Sequence, residues 1–273
     1  MRTELVSVPG SANRPNEDFA SVGLPGCGQG GSVVVLDGVT PPATGTGCLH
    51  SVPWYTARLG GALAELTVSL PDVPLVEVLA RAIARTANAH QATCDLSHPR
   101  TPQATVAVAR WSPASVDYLV LSDSALLAEA PDGTVTALLD DRLARLPRSA
   151  LATDALVDAT VRNREGGFFT AAADPSVARR AVTGTLAREE VRSLAALTDG
   201  AARWVETFRE GDWADCLGLV RDRGPGALVE RVRELERDDL EQRAFLGRAK
   251  AHDDATVVYA ELAAPATATA PAP

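Results

Sequence analysis

The chain has 273 residues, enough for one large domain or two small ones, and 46% of them are hydrophobic, the proportion of an ordinary globular protein. A net charge of −9 with no run of lysine or arginine argues against a nucleic-acid surface and suits a site that collects divalent cations. No stretch approaches the ~20 apolar residues needed to cross a bilayer, and the N-terminus lacks the apolar core of a signal peptide, so a cytoplasmic protein that stays off the membrane and works as a monomer is expected.

Residues 3–8 alternate and predict a first strand, followed by a loop of turn formers from Pro9 to Asn16. That loop delivers Glu17 and Asp18 to the mouth of a second strand, Phe19 to Val22. Arg14 precedes these acids by three and four residues. It is either one half of a surface ion pair of little worth, or a guanidinium clamp for phosphate beside a metal site. Next, Ser32-Val33-Val34-Val35-Leu36 runs into Asp37-Gly38, which reads as a buried strand whose closing turn presents a carboxylate at the rim of a sheet. Taken alone, Asp-Gly is turn chemistry in which glycine supplies a positive φ. The same phrase recurs, however, as Tyr118-Leu119-Val120-Leu121-Ser122-Asp123-Ser124 and Leu194-Ala195-Ala196-Leu197-Thr198-Asp199-Gly200.

The glycine-rich loop from Pro41 to Pro53 lacks both the P-loop ending and the dinucleotide fingerprint, so no nucleotide site is expected there. From Trp54 the apolar spacing becomes helical through Leu59, Ala62, Leu63, Leu66 and Leu70. A second helix follows through Leu75, Val78, Leu79, Ala82, Ile83 and Thr86. Each has one apolar face, so the pair should lie as a layer on a sheet. The sheet continues in Ala104 to Arg110, Val116 to Leu121, Ala125 to Glu129 and Val135 to Leu138, whose short turns imply antiparallel pairing. Cys27, Cys48, Cys94 and Cys216 are scattered without Cys-x-x-Cys spacing. Four reduced thiols are expected, rather than a zinc knuckle, a disulfide framework or a thiol-based site.

Residues 140–190 carry a helical pattern from Leu151 to Val161, a turn at Asn163 to Gly167 and an apolar excursion at Phe168-Phe169. A flap over a site and an ordinary connection are both open readings. Glu190 to Thr198 is the third acid-terminated strand, and Asp199-Gly200 opens a helix through Phe208. Further helices cover Asp212 to Val220 and Ala227 to Leu240, the charges of the latter reading as a solvated face. His252-Asp253-Asp254-Ala255-Thr256 leads into a closing strand, Val257 to Ala260. Residues 263–273 contain only alanine, proline and threonine and predict a disordered tail behind a single domain, 1–262.

Glu17, Asp37, Asp123, Asp199 and Asp253 all fall at strand ends, and in an antiparallel arrangement they can share one rim. Close carboxylates raise one another's pKa, and divalent cations relieve the repulsion. Oxygen-only ligands favour magnesium or manganese, and two such ions can serve in-line attack on a phosphoester.

Asn16-Glu17-Asp18, Leu36-Asp37-Gly38, Ser122-Asp123-Ser124, Thr198-Asp199-Gly200 and Asp253-Asp254-Ala255-Thr256 stand in the order and rough spacing of the metal-dependent protein phosphatases, the type 2C serine/threonine family. The resemblance is to its bacterial members and runs from about Ser7 to Tyr259. It implies an α+β fold, a four-layer αββα sandwich of two antiparallel sheets flanked by helices. It further implies two Mn²⁺ or Mg²⁺ ions with a possible third. Asp37 would bridge the two ions, with Asp199 and Asp253 on one, and Glu17 with the carbonyl of Gly38 on the other. Asp123 would help hold the third, and Asp18 would stand behind the ligands. The nucleophile would be a metal-bound water, and Arg14 would bind the phosphate. The family's arginine usually stands four residues before the glutamate, where this chain has Asn13. Many members have a histidine and two glycines after Asp-Gly, where this chain has Val39-Thr40-Pro41. His50 is a stand-in for that histidine or a bystander, and His252 reads as structural. The expected function is a protein serine/threonine phosphatase. The alternatives are a phosphatase for a small phosphorylated metabolite and a catalytically weak module that binds a partner.

Overall fold

A computed structural model describes residues 1–41, 45–242 and 250–262; the expected tail at 263–273 lies outside them. The strands are β1 (Arg2–Val8), β2 (Phe19–Gly23), β3 (Gly31–Leu36), β4 (Val106–Trp111), β5 (Ser115–Leu121), β6 (Ala125–Glu129), β7 (Val135–Leu139), β8 (Val182–Ala187), β9 (Ser193–Leu197) and β10 (Ala255–Glu261). The helices are α1 (Val52–Ser69), α2 (Leu75–His90), α3 (Asp154–Thr160), α4 (Asp199–Glu206), α5 (Trp213–Arg223) and α6 (Pro225–Gln242).

Two five-stranded antiparallel sheets form, in the orders β1-β10-β9-β6-β7 and β2-β3-β4-β5-β8. The period-2 alternation of a strand explains how they stack. In β3, Val34 and Leu36 pack with α1 and α2 through Leu59, Leu63, Leu79 and Ile83, whereas Val33 and Val35 meet Leu126, Ala196 and Val258 of the opposite sheet. The other face of that sheet, through Leu127, Leu197, Val257 and Tyr259, packs against Trp204, Leu217, Leu228 and Val232 of the C-terminal helices. The result is the expected αββα order of four layers, with each sheet buried on both faces.

Local chemistry sets the helix starts. Ser51 caps α1 by accepting from the Trp54 amide at 3.3 Å, with Pro53 in the first turn. Asp212 caps α5 through the amides of Ala214 and Asp215, and Asp215 accepts in return from the Asp212 amide. The 140–190 segment forms a wall with its own small core of Val157, Val161 and Phe168 under Leu143, Leu146 and Ala150. Its last part, β8, is a strand that the apolar pattern does not announce. It is a polar edge strand, and Gly184 is seated against the Tyr118 ring of β5.

Candidate active site

The sheet registers bring the acids to one rim. β2 starts where β3 ends, with Phe19 opposite Leu36, so Glu17 and Asp18 stand beside Asp37. β3 and β5 flank β4 and run the same way, which sends Asp37 and Asp123 to the same end of that sheet. Ser122-Asp123-Ser124 then crosses to the other sheet and starts β6, where Ala125 is opposite Leu197, two residues from Asp199. Leu197 is also opposite Val257 at the start of β10, just after Asp253. Asp37, Gly38, Asp123, Asp199 and Asp253 accordingly line one cleft of ≈ 680 Å³, together with Arg14. Glu17 lies beside the wall rather than in it, its Oε2 accepting from the Thr40 hydroxyl at 2.5 Å.

Two glycines at this rim differ from the turn reading of their sequence. Neither Gly38 nor Gly200 has a positive φ. Both are needed for close approach. A Cβ on Gly38 would come within 2.5 Å of the Glu17 carbonyl oxygen, and one on Gly200 within 2.0 Å of the Asp254 carbonyl oxygen. Gly38 instead extends β3 by pairing with Ala104, and Gly200 sits in the first turn of α4. The residue that does adopt the left-handed conformation is Ser122, at φ 68°. Its amide donates to Asp140 Oδ2 at 2.8 Å and its hydroxyl to Asp123 Oδ1 at 3.2 Å.

Electrostatics marks the cleft as a place for positive charge. Removal from water raises the Asp37 pKa well above the ordinary carboxylate range, and Asp199, Asp18, Asp123 and Asp253 push it further. Desolvation, then Asp123 and Asp253, take Asp199 up to about 7 against the opposing pull of Arg203. Buried carboxyl groups that repel one another need protons or a cation among them. Asp18 is also raised to about 7 by burial, against hydrogen bonds from Thr256 and Thr198 at 2.7 and 3.0 Å, and its Oδ1 is buried without a partner among the described residues. Asp254 faces away and ties the N-terminal loop down, accepting from the amides of Gly10 and Glu17, both at 2.7 Å.

Cations that the sequence reading did not single out surround Asp253. Lys250 Nζ reaches its Oδ1 at 2.6 Å and Arg203 its Oδ2 at 3.0 Å. Burial alone would lower the Lys250 pKa, but Asp253, Asp37 and Asp199 hold it above its ordinary value. Behind them α6 contributes Glu236, fully buried and paired with Arg203, with Arg233 at 2.7 Å and with His252 at 2.8 Å. The expected solvated face of α6 is therefore interrupted by a buried carboxylate, because α6 packs on α4 and on the segment leading into β10. His252 serves that ion network. Arg14 is exposed on the cleft wall and has no ion-pair partner among the described residues. The 140–190 segment closes the far side with Leu143, Val157, Arg162 and Phe168.

His50 is not in the cleft. It stacks on Trp54 at 3.9 Å between ring centroids and lies against Cys48 and Cys94. Two of the four cysteines, scattered along the chain, are thus side by side, with Sγ atoms 3.1 Å from one another. No histidine lines the cleft among the described residues.

A sequence model of the protein phosphatase 2C family matches residues 11–223, and the chain belongs to that family. It is a protein phosphatase of the metal-dependent class. None of the curated proteins compared with it matches. Among solved structures, the serine/threonine phosphatase Stp1 from Staphylococcus aureus aligns at 11% identity and TM-score 0.55, covering 96% of this chain and 94% of that one. The Mycobacterium tuberculosis serine/threonine phosphatase PstP/Ppp aligns at 18% identity and TM-score 0.56, covering 96% and 98%. The catalytic domain of PstP in complex with two manganese ions aligns at 17% identity and TM-score 0.55, covering 95% and 97%. At such identities the likeness is one of fold. No helix among the described residues is long and apolar enough to cross a membrane.

Proposed function

We propose that this cleft hydrolyses phosphoserine and phosphothreonine in proteins, with two Mn²⁺ or Mg²⁺ ions and a more weakly held third. The observation that carries the reading is the meeting of four aspartates from four separate strand ends in one cleft that Arg14 also lines. The donor set fits hard divalent cations, being all oxygen. The mutual repulsion of Asp37, Asp123, Asp199 and Asp253 is what a cation would relieve. Asp37 would ligate both ions, Asp199 and Asp253 one of them, and Glu17 with the Gly38 carbonyl the other; Asp123 would help hold the third. When bound, the ions supply the Lewis acidity that makes water a nucleophile near neutral pH and offsets phosphate charge.

The chain's own side chains prepare the site. Thr40 fixes the Glu17 rotamer, Thr198 and Thr256 orient Asp18, and Arg203 with Lys250 holds the Asp253 carboxyl in place. Arg14, one position nearer the glutamate than is usual in the family, still reaches the cleft, where its planar fork would bind and orient the phosphate. Hydrolysis of p-nitrophenyl phosphate should require manganese or magnesium and fall to background in Asp199→Asn; undiminished activity in that variant would remove the assignment. A phosphopeptide panel set against phosphorylated metabolites then tests the substrate class, with turnover of the metabolites alone overturning the protein-substrate reading.

A further inference from the structure

Away from the cleft, Cys48, His50, His90 and Cys94 bring one donor atom each to within 4.8 Å of one another. Cys48 Sγ lies 3.4 Å from His90 Nδ1 and 3.7 Å from His50 Nδ1, and Cys94 Sγ lies 3.4 Å from His50 Nδ1. A tetrahedral zinc with bonds of ~2.3 Å to sulfur and ~2.05 Å to nitrogen holds its ligand atoms roughly 3.3–3.8 Å apart, a sulfur and a nitrogen at about 3.5 Å. Three of the observed separations are already close to that range. The fourth, 3.1 Å between the sulfurs, needs only a small opening and is well outside a disulfide bond of ~2.04 Å.

The local backbone builds the cluster from two short stretches. His90 ends α2, and the Cys94 amide bonds to its carbonyl at 3.1 Å, so the two side chains stand one turn apart on one face. Cys48 and His50, on either side of Leu49, both bring their side chains to Cys94. The stretches are joined by the Asp95 amide on the Gly47 carbonyl at 2.7 Å. The Leu49 amide donates to Cys94 Sγ and the His50 amide to Cys48 Sγ, both at 3.4 Å, the kind of contact that steadies a metal-bound thiolate. His90 is buried, and among the described residues the one polar contact of its ring is to the Cys48 sulfur. Trp54 stacks on His50 and lies 5.2 Å from the His90 ring, covering one side of the group.

We propose that Cys48, His50, His90 and Cys94 form a structural zinc site, separate from the carboxylate cleft, that clamps the β3–α1 loop to the C-terminus of α2. Two thiolates and two imidazoles select zinc over the hard cations of the cleft, and four protein ligands leave no open position for chemistry. The connection between β3 and α1 to which Cys48 and His50 belong begins with Gly38, Val39 and Thr40 in the cleft wall.

Native mass spectrometry and elemental analysis of the full chain, purified without added metal, test the site. The expected result is one zinc per chain, retained in Asp37→Asn/Asp199→Asn and lost in Cys48→Ser/Cys94→Ser. Zinc should be released into a chromogenic chelator when a mercurial blocks the thiols. Cobalt(II) substitution should give sulfur-to-cobalt charge-transfer absorption, which carboxylates cannot produce. Because the cysteine variant can fail to fold, the wild-type measurements decide. An intact chain with no zinc, a Cys48–Cys94 disulfide in place of two thiolates, a different metal, or zinc that departs with the aspartate substitutions overturns the proposal.

Discussion

At the scale of the residue, Ser122 shows what a strained backbone position costs. It occupies the left-handed region that glycine enters freely, immediately before Asp123, and its hydroxyl donates to that carboxylate. Ser122→Gly should raise unfolding free energy by about 1 kcal/mol in urea titration, while Ser122→Val should lower it. The missing hydrogen bond to Asp123 sets the other side of that exchange, so the glycine variant should gain stability and lose some affinity for the weakly held third ion. Arg14 makes no ion pair among the described residues, so its removal should leave folding intact. Arg14→Ala should cost roughly 10- to 100-fold in kcat/KM, the worth of about 1.5–3 kcal/mol for a charge-assisted hydrogen bond to phosphate. An unchanged kcat/KM would show that the displaced arginine has lost its role.

At the scale of the element, the ion network of α4, α6 and the segment before β10 is the least conspicuous part of the site. Glu236 is buried with three basic partners, which together overcome the effect of burial and hold its pKa below the usual range, His252 and Arg233 contributing most. Arg233 also donates to the Asp253 carbonyl at 2.6 Å, so the helix grips the backbone of the β10 approach as well as its side chains. Deleting one partner from such a group leaves uncompensated buried charge. Glu236→Ala should cost about 3–5 kcal/mol of stability, and adding Arg203→Ala to it should cost less than the sum of the two single changes. Denaturant titrations of the cycle read this directly; additive losses would mean that the pairs are energetically independent. The helical period of α6 was legible from Leu228, Val232 and Leu235. Its buried acid was not, because periodicity reports which face is apolar and not which charged residue will meet a partner on a neighbouring helix.

At the scale of the whole molecule, the sandwich gathers carboxylates that the unfolded chain keeps apart, and stability becomes linked to pH and metal. Asp18 and Asp199 have folded pKa values raised to about 7, and Asp37 is raised as well. Between the ordinary carboxylate value near 4 and about 7, the folded protein therefore retains protons that the unfolded chain has released. Their stabilising contribution is complete below about pH 4 and is lost as pH rises through about 7, so the melting temperature in chelator should fall across that window. Manganese binds the ionised form. Its stabilising increment should therefore grow from about pH 5 to about pH 7, and a pH-independent increment in thermal unfolding would contradict the carboxylate cluster as its site.

The sequence by itself determined the strands that end in aspartate, the paired helices over the sheet and the order of the acidic motifs, because hydrophobic periodicity and turn chemistry are local and are written residue by residue. It also carried enough of the motif order to indicate the phosphatase family. The edge strand β8 escaped because Val182 to Ala187 has little apolar surface to bury, so no alternation betrays it. Only the tertiary structure decided why Gly38 and Gly200 must be glycines, since the backbones that crowd them come from Glu17 and Asp254. It likewise decided that Arg203 and Lys250 stand at Asp253, and that Cys48 and Cys94 meet two histidines across 46 residues of chain. Spacing along the chain fixes what neighbours share, whereas contacts between distant segments depend on how the sheets pair and the helices dock.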